Sequence, residues 1–389
     1  MSDSFTETTS RSWFNRVASS VAGALFGLFL VIAMIVLLFW NEGRAVTTAR
    51  SLAEGGGAVV SVGNGPVDPT NEGRLVHATG TVTSDETLAD PDFGIGASGV
   101  SLIRRAEMYQ WTEDKRSETK TKLGGGEETV TTYSYAKKWA DSYQDSSDFR
   151  QPAGHENPQM EWRDQTFALS SAQMGDRRLD VQVLSRMGGA ATLALKPADR
   201  DKVLAAYGEG VTIQGGRIYL SDEPDVPEIG DQRIAYELAP LGDISVLARQ
   251  VGDGFAAYQT QAGDALLMVD RGTVPAAEMF AAAEAENTII TWVLRVVGLL
   301  LLALGFGLIM GPIGVLFDII PFLGSIARMG TGLVAFALAI AIGGAVIALA
   351  WFWYRPVLAI GILVVAGAIA WGLSRIAKAR ARPAAPQAA

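Results

Sequence analysis

Four stretches of this chain carry no charged residue: 17–41, 296–317, 329–354 and 356–374. Each is close to or beyond the roughly 20 apolar residues that a helix needs to cross the hydrocarbon of a bilayer. Between the first and second stretches lie about 250 mostly polar residues, enough for a folded domain. The expected fold is an α+β membrane protein with four transmembrane helices, one N-terminal and three C-terminal, and a large β-rich extramembrane domain. The boundaries read as a cytoplasmic tail over 1–17, helices over 18–40, 289–310, 331–353 and 356–374, the domain over 41–288, an elbow over 311–330, and a basic cytoplasmic tail over 375–389.

The first apolar run follows Arg11 and Arg16, as a secretory signal would. It is longer than a signal core and ends in the bulky Leu38-Phe39-Trp40 rather than a small-residue cleavage site, so it reads as a retained anchor. The region 41–288 holds 23 Lys and Arg against 38 Asp and Glu, a net charge near −15. Such a domain repels phosphate backbones, which argues against nucleic-acid binding. The chain has no cysteine, so disulfides, thiolate catalysis and Cys-ligated metals are excluded.

Positive charge marks the cytoplasmic side of a membrane protein. Arg11 and Arg16 precede the first run, Arg328 separates the second from the third, and Arg375, Lys378, Arg380 and Arg382 follow the fourth. With four spans all three groups fall on one side, and the acidic domain faces the other: the periplasm in a bacterium, the lumen in an organelle. Within 311–328, Pro312 and Pro321 interrupt a helical pattern and Asp318 would be costly at mid-bilayer. This segment reads as an interfacial elbow or, alternatively, as a re-entrant segment lining a water-filled path. Trp40, Trp292 and Trp351-Phe352-Trp353-Tyr354 stand at span edges, as a membrane aromatic belt does.

Strand-like alternation dominates the polar region. Strands are expected at 74–83, 100–111, 179–185, 211–220, 232–239, 243–251 and 265–270, and helices at 198–207 and 275–288. Residues 112–135 read as a hairpin turning at Gly124-Gly125-Gly126. Its arms are polar on both faces for most of their length, so it is expected to project into water.

Several ordered strings go beyond composition. Asn41-Glu42-Gly43-Arg44-Ala45 follows the first span, and Asn71-Glu72-Gly73-Arg74-Leu75-Val76-His77 echoes it. Then come Glu107-Met108-Tyr109-Gln110-Trp111, Tyr133-Ser134-Tyr135, Gly154-His155-Glu156-Asn157-Pro158, Pro227-Glu228-Ile229-Gly230-Asp231 and Tyr354-Arg355-Pro356. In this order, and with this pattern of spans, the chain resembles the transmembrane protein 43 (LUMA) family over about residues 20–375. The resemblance implies a protein that self-associates and organises other membrane proteins. Animal members sit in the endoplasmic reticulum and inner nuclear membrane, and a channel role has been put forward for them. It carries over no catalytic residue. The Ala- and Gly-rich, acidic chain looks like a bacterial member, which would have no lamina partners; with the charge pattern, the expected site is a bacterial inner membrane with the domain periplasmic.

Other motifs yield to plainer readings. Gly94, Gly96 and Gly99 match the dinucleotide-binding glycine spacing, but Pro91-Asp92-Phe93 precedes them where a strand is needed, so they read as a loop. His77 and His155 stand far apart without a metal-ligand repeat and read as structural. The acidic run at Asp222, Glu223, Asp225, Glu228 and Asp231 lacks calcium-loop spacing. Neither cofactor nor metal nor small-molecule substrate is expected, and no enzymatic activity. The expected partners are further copies of the chain, other membrane proteins and the lipid bilayer. Gly23 with Gly27, and Gly307 with Gly311, have the G-x-x-x-G spacing that lets helices pack closely, within one chain or between chains. Glu42 and Arg44 at the membrane edge are candidates for an anchor or a docking point, and Arg295 for snorkelling to the interface. The leading function is a self-associating scaffold. The alternative is a cation channel or channel subunit, with Asp318 on the ion path.

Overall fold

The computed structural model describes residues 3–221 and 223–357 and, beyond them, 359–361, 364, 365, 368, 369 and 371. The expected fourth span at 356–374 therefore lies partly outside the described residues, and the basic tail at 375–389 and Asp222 lie wholly outside them. Among the described residues three helices are long and apolar enough to cross a membrane, not four: Trp13–Ala58, Ala276–Phe317 and Pro321–Tyr354. The chain forms two compact units. One takes residues up to 10, 51–120 and 128–283; the other takes 11–50, 121–127 and the residues from 284 on.

The β-rich unit opens with β1 (Asp3–Arg11), after which α1 (Trp13–Ala58) returns the chain to it. There follow β2 (Val60–Val62), β3 (Leu75–Thr83), β4 (Leu88–Asp90), β5 (Ile95–Ala97), β6 (Ser101–Thr121) and β7 (Glu127–Ala140). Next come β8 (Gln165–Ala168), β9 (Ser171–Met174), β10 (Arg177–Asp180), α2 (Val181–Leu184), β11 (Ala191–Leu193) and α3 (Arg200–Tyr207). The unit closes with β12 (Thr212–Gln214), β13 (Arg217–Leu220), β14 (Gln232–Ala239), β15 (Asp243–Val251), β16 (Gly254–Ala256), β17 (Tyr258–Gln259), β18 (Ala265–Leu266) and β19 (Met268–Arg271).

Two main sheets result. One runs β1-β7-β6-β14-β13-β12, with β8 on β6 and β11 on β14; the other runs β10-β9-β3-β15-β16, with β2 on β3 and β19 on β15. In the second sheet β15 pairs antiparallel with β3, Val246 opposite Ala78 and Leu247 opposite His77. Its residues 244–248 are all buried because each face of the sheet meets a core. Ile244, Val246 and Ala248 join Val76 and Ala78, together with Leu102, Met108, Ile234 and Tyr236 of the first sheet. On the other face Leu247 and Leu75 pack with Leu52, Met279 and Phe280. A strand buried on both faces loses the alternation of a half-exposed one, and in 244–248 only Ser245 is polar.

The expected strand at 179–185 ends at Asp180, whose carboxylate accepts from the amides of Gln182 and Val183 and caps α2. The expected strand at 211–220 is two, β12 and β13, folded at Gly215-Gly216, whose φ of +58° and +78° only glycine adopts freely. The tail expected over 1–17 contains β1, seated on β7.

In the helical unit, α4 (Ala276–Phe317) runs through Pro312, and α5 (Pro321–Tyr354) begins with Pro321 in its first turn, where the missing amide hydrogen is not needed. The elbow expected over 311–330 thus narrows to residues 318–320. Val31 and Leu38 of α1, Leu302 of α4 and Ala339 of α5 form the buried centre of this unit.

Candidate functional site

Glycines set how closely the helices approach. A methyl group on Gly27 would lie 2.6 Å from the Gly305 carbonyl oxygen and 2.8 Å from Leu308 Cβ, and one on Gly298 would lie 2.7 Å from Leu38 Cδ2. Gly23, Gly307 and Gly311 face open space. Of the four glycines singled out by spacing, Gly27 alone sits in a helix contact, and its partner is Gly305.

The two charged residues expected at the membrane edge are both bonded, though not to each other. Glu42 is fully buried and accepts from Arg295 Nε at 2.6 Å, from Arg295 Nη2 at 2.7 Å and from Trp351 Nε1 at 2.8 Å. One carboxylate on α1 thereby ties α4 to α5. Arg295 also stands 4.8 Å from the centre of the Trp292 ring. It is held as a partner of Glu42, where the sequence suggested snorkelling. Arg44 donates to Asn287 Oδ1 at 3.0 Å and Thr291 Oγ1 at 2.9 Å, and no acid faces it among the described residues. Asn41 donates to the Thr291 carbonyl and Asn287 to that of Ala45, so α1 and α4 are cross-linked on both sides of Arg44.

A second charged cluster forms at the opposite end of these helices. Asp318 is fully buried. It accepts from Arg16 Nη2 at 2.5 Å and from Arg328 Nη1. Arg16 further contacts Glu127 at 2.8 Å and the Gly125 carbonyl. The Gly124 amide donates to the Ile319 carbonyl, and the Trp13 indole to that of Val315. A side chain at Gly324 would collide with the Asp318 carboxylate. The turn at Gly124–Gly126 is therefore docked here and not free. Charge alone placed Arg16 and Asp318 on one face of the membrane and the hairpin on the other; the structure brings the turn and these two residues together.

In the β-rich unit the strongest polar centre is one the sequence reading missed. Asp90 is fully buried, bound by Arg104 Nη1 at 2.9 Å and by the Tyr236 hydroxyl at 2.7 Å. Burial first, then the hydrogen bond to Asp90, raises the Tyr236 phenol far above the usual tyrosine range. No local pattern announces this cluster, because β4, β6 and β14 each supply one member. His77 bonds the Val274 carbonyl, and His155 lies against Asp3 and the Tyr135 ring. Among the described residues no three His, Cys, Asp or Glu side chains gather as metal ligands.

The family described as Transmembrane protein 43 matches residues 108–356. Transmembrane protein 43 of Homo sapiens is 32% identical over 374 residues, covering 93% of this chain and 91% of that protein. The Mus musculus protein is 32% identical over 356 residues, 88% of this chain and 87% of its own. A homologue in Drosophila melanogaster is 31% identical over 359 residues, covering 89% and 92%. No solved structure matches the chain significantly.

Proposed function

The chain belongs to the transmembrane protein 43 family, and on that premise we propose that it is a non-enzymatic membrane scaffold. In this reading it self-associates and organises other membrane proteins through its large extramembrane domain. One observation carries the reading. The buried acids at both ends of the helical unit bind that unit's own residues, Glu42 with Arg295 and Trp351, and Asp318 with Arg16 and Arg328. The helices are thus held to one another, while Phe26, Phe29, Leu300, Leu304 and Phe336 remain on their outer faces. A preformed unit with apolar outer faces suits lipid and neighbouring helices, whose association rests on packing.

The ion-path alternative gains nothing from Asp318, whose charge two guanidinium groups neutralise. The chain's composition supports a bacterial inner membrane as its site. Cross-linking in membranes followed by native mass analysis tests the scaffold reading. Discrete oligomers with co-purifying membrane proteins are expected; monomers alone, with nothing bound, would overturn it.

A further inference from the structure

A groove of about 390 Å³ opens between α1, α4 and α5 at the end of the helical unit that holds Glu42. Its wall includes Asn287, Thr291, Trp292, Trp351 and Arg355. We propose that this groove holds the phosphodiester headgroup of an anionic glycerophospholipid.

Three observations carry the proposal. The first is charge. Arg295 on the wall is neutralised by Glu42. Arg44 lies behind Asn287 and Thr291 and bonds only neutral groups, with its Nε–H buried and unpartnered. The Arg355 guanidinium has no hydrogen-bond or ion-pair partner among the described residues. Glu284 on the rim is the one acid on the lining. On the lining itself Arg355 and Glu284 cancel, and Arg44 behind the wall adds the one positive charge that a phosphodiester matches.

The second observation is depth. The apolar runs of α1, α4 and α5 end at this groove, and two indoles flank it; Trp settles at the level of lipid headgroups. The third distinguishes a lipid from a soluble anion. Trp292, Val293 and Val296 on α4, and Phe352 and Trp353 on α5, are exposed beside the groove and leave apolar surface for acyl chains. The planar Arg355 fork would grip two phosphate oxygens, a geometry that Lys cannot reproduce.

Native mass spectrometry of the full-length protein, released from nanodiscs, tests this. The probes are phosphatidylglycerol, phosphatidylethanolamine, and soluble glycerophosphoglycerol, which has the headgroup without chains. Phosphatidylglycerol is expected to be retained in preference to phosphatidylethanolamine, with little binding of the soluble headgroup. Arg355→Gln should weaken retention about tenfold, the loss of one charge-assisted contact, and Arg355→Lys should recover part of it. Ala49→Trp, on the groove wall, should block retention with every arginine intact. An unchanged unfolding midpoint by tryptophan fluorescence qualifies each variant, and Ala49→Trp decides alone if Arg355→Gln fails to fold. Equal retention of the two phospholipids, or retention indifferent to Arg355→Gln and Ala49→Trp, overturns the proposal. Soluble headgroup bound as tightly as lipid overturns the lipid as its source.

Discussion

Glu42→Gln is the substitution that bears hardest on the helical unit. The carboxylate accepts three hydrogen bonds from two other helices and is 1% exposed, while the Arg295 side chain is 13% exposed. Removing one partner of a buried ion pair leaves the other charge uncompensated and costs ~3–5 kcal/mol. Two effects reduce that figure. Glutamine retains one acceptor oxygen, worth about 1 kcal/mol. Arg295 keeps its position over Trp292 at 4.8 Å and near Trp351 at 5.8 Å, which contributes about 0.5–1 kcal/mol. The expected net destabilisation is therefore about 1–3.5 kcal/mol. The assay is reversible unfolding of the full chain in micelles, followed by the fluorescence of Trp351 and its neighbours. Arg295→Gln should cost a similar amount, and the double variant less than the sum of the singles, with a coupling of about 1–3 kcal/mol. A Glu42→Gln change within about 0.5 kcal/mol of wild type is the behaviour of an exposed pair. That result, or a double variant that is simply additive, would refute the claim that this pair is desolvated and joins the helices.

The remaining predictions probe separate parts of the argument. Gly27→Ala should cost about 1–3 kcal/mol through overpacking against Gly305. Gly307→Ala, in open space on a helix, should stabilise by about 0.5–1 kcal/mol in the same assay. Asp90→Asn should destabilise the β-rich unit by ~3–5 kcal/mol and Tyr236→Phe by about 1.5–3, read as shifts in denaturant midpoint. Burial, aided by the hydrogen bond to Glu113, pushes the Tyr135 phenol up to about 12. Its stabilising contribution is therefore full below about pH 10, where an unfolded tyrosine ionises, and is lost as pH rises toward the folded value. Ultraviolet difference absorbance should show late-ionising phenols, of which Tyr135→Phe removes one and leaves the more strongly shifted Tyr236, and that variant should lose less stability across this alkaline window. Because the chain lacks cysteine, Leu123→Cys and Ser325→Cys can each carry a single label. Docking of the turn near Asp318 requires both to react from one side of the membrane with an impermeant reagent; reaction from opposite sides would refute the docking and uphold the charge rule.

What was legible in the sequence divides along a physical line. A helix's lack of charge is a property of consecutive residues, and the structure places α1, α4 and α5 where those runs fall. Partnership is a property of the fold. Glu42 stood out as a charge that needed pairing, but its partner lies 253 residues away, and the interfacial position of Arg295 suggested solvent and not a carboxylate. The two G-x-x-x-G strings show the same limit. Spacing marks a helix face on which another backbone could approach; only the meeting of α1 with α4 decides that Gly27 is used and Gly307 is not. The missed strand β1 did carry a signal, Phe5 among alternating Thr residues, but that pattern has no meaning until β7 offers an edge to pair with. The same reasoning sets the value of the groove at Arg355. A cation at the end of an apolar run is common, and sequence alone reads it as an interfacial anchor. Arg44 behind the groove and Arg355 on its wall bond no acid among the described residues, while Arg295 on the same wall is neutralised. That pattern of charge exists only once three helices have come together, and it is what separates a place for a ligand from an ordinary membrane edge.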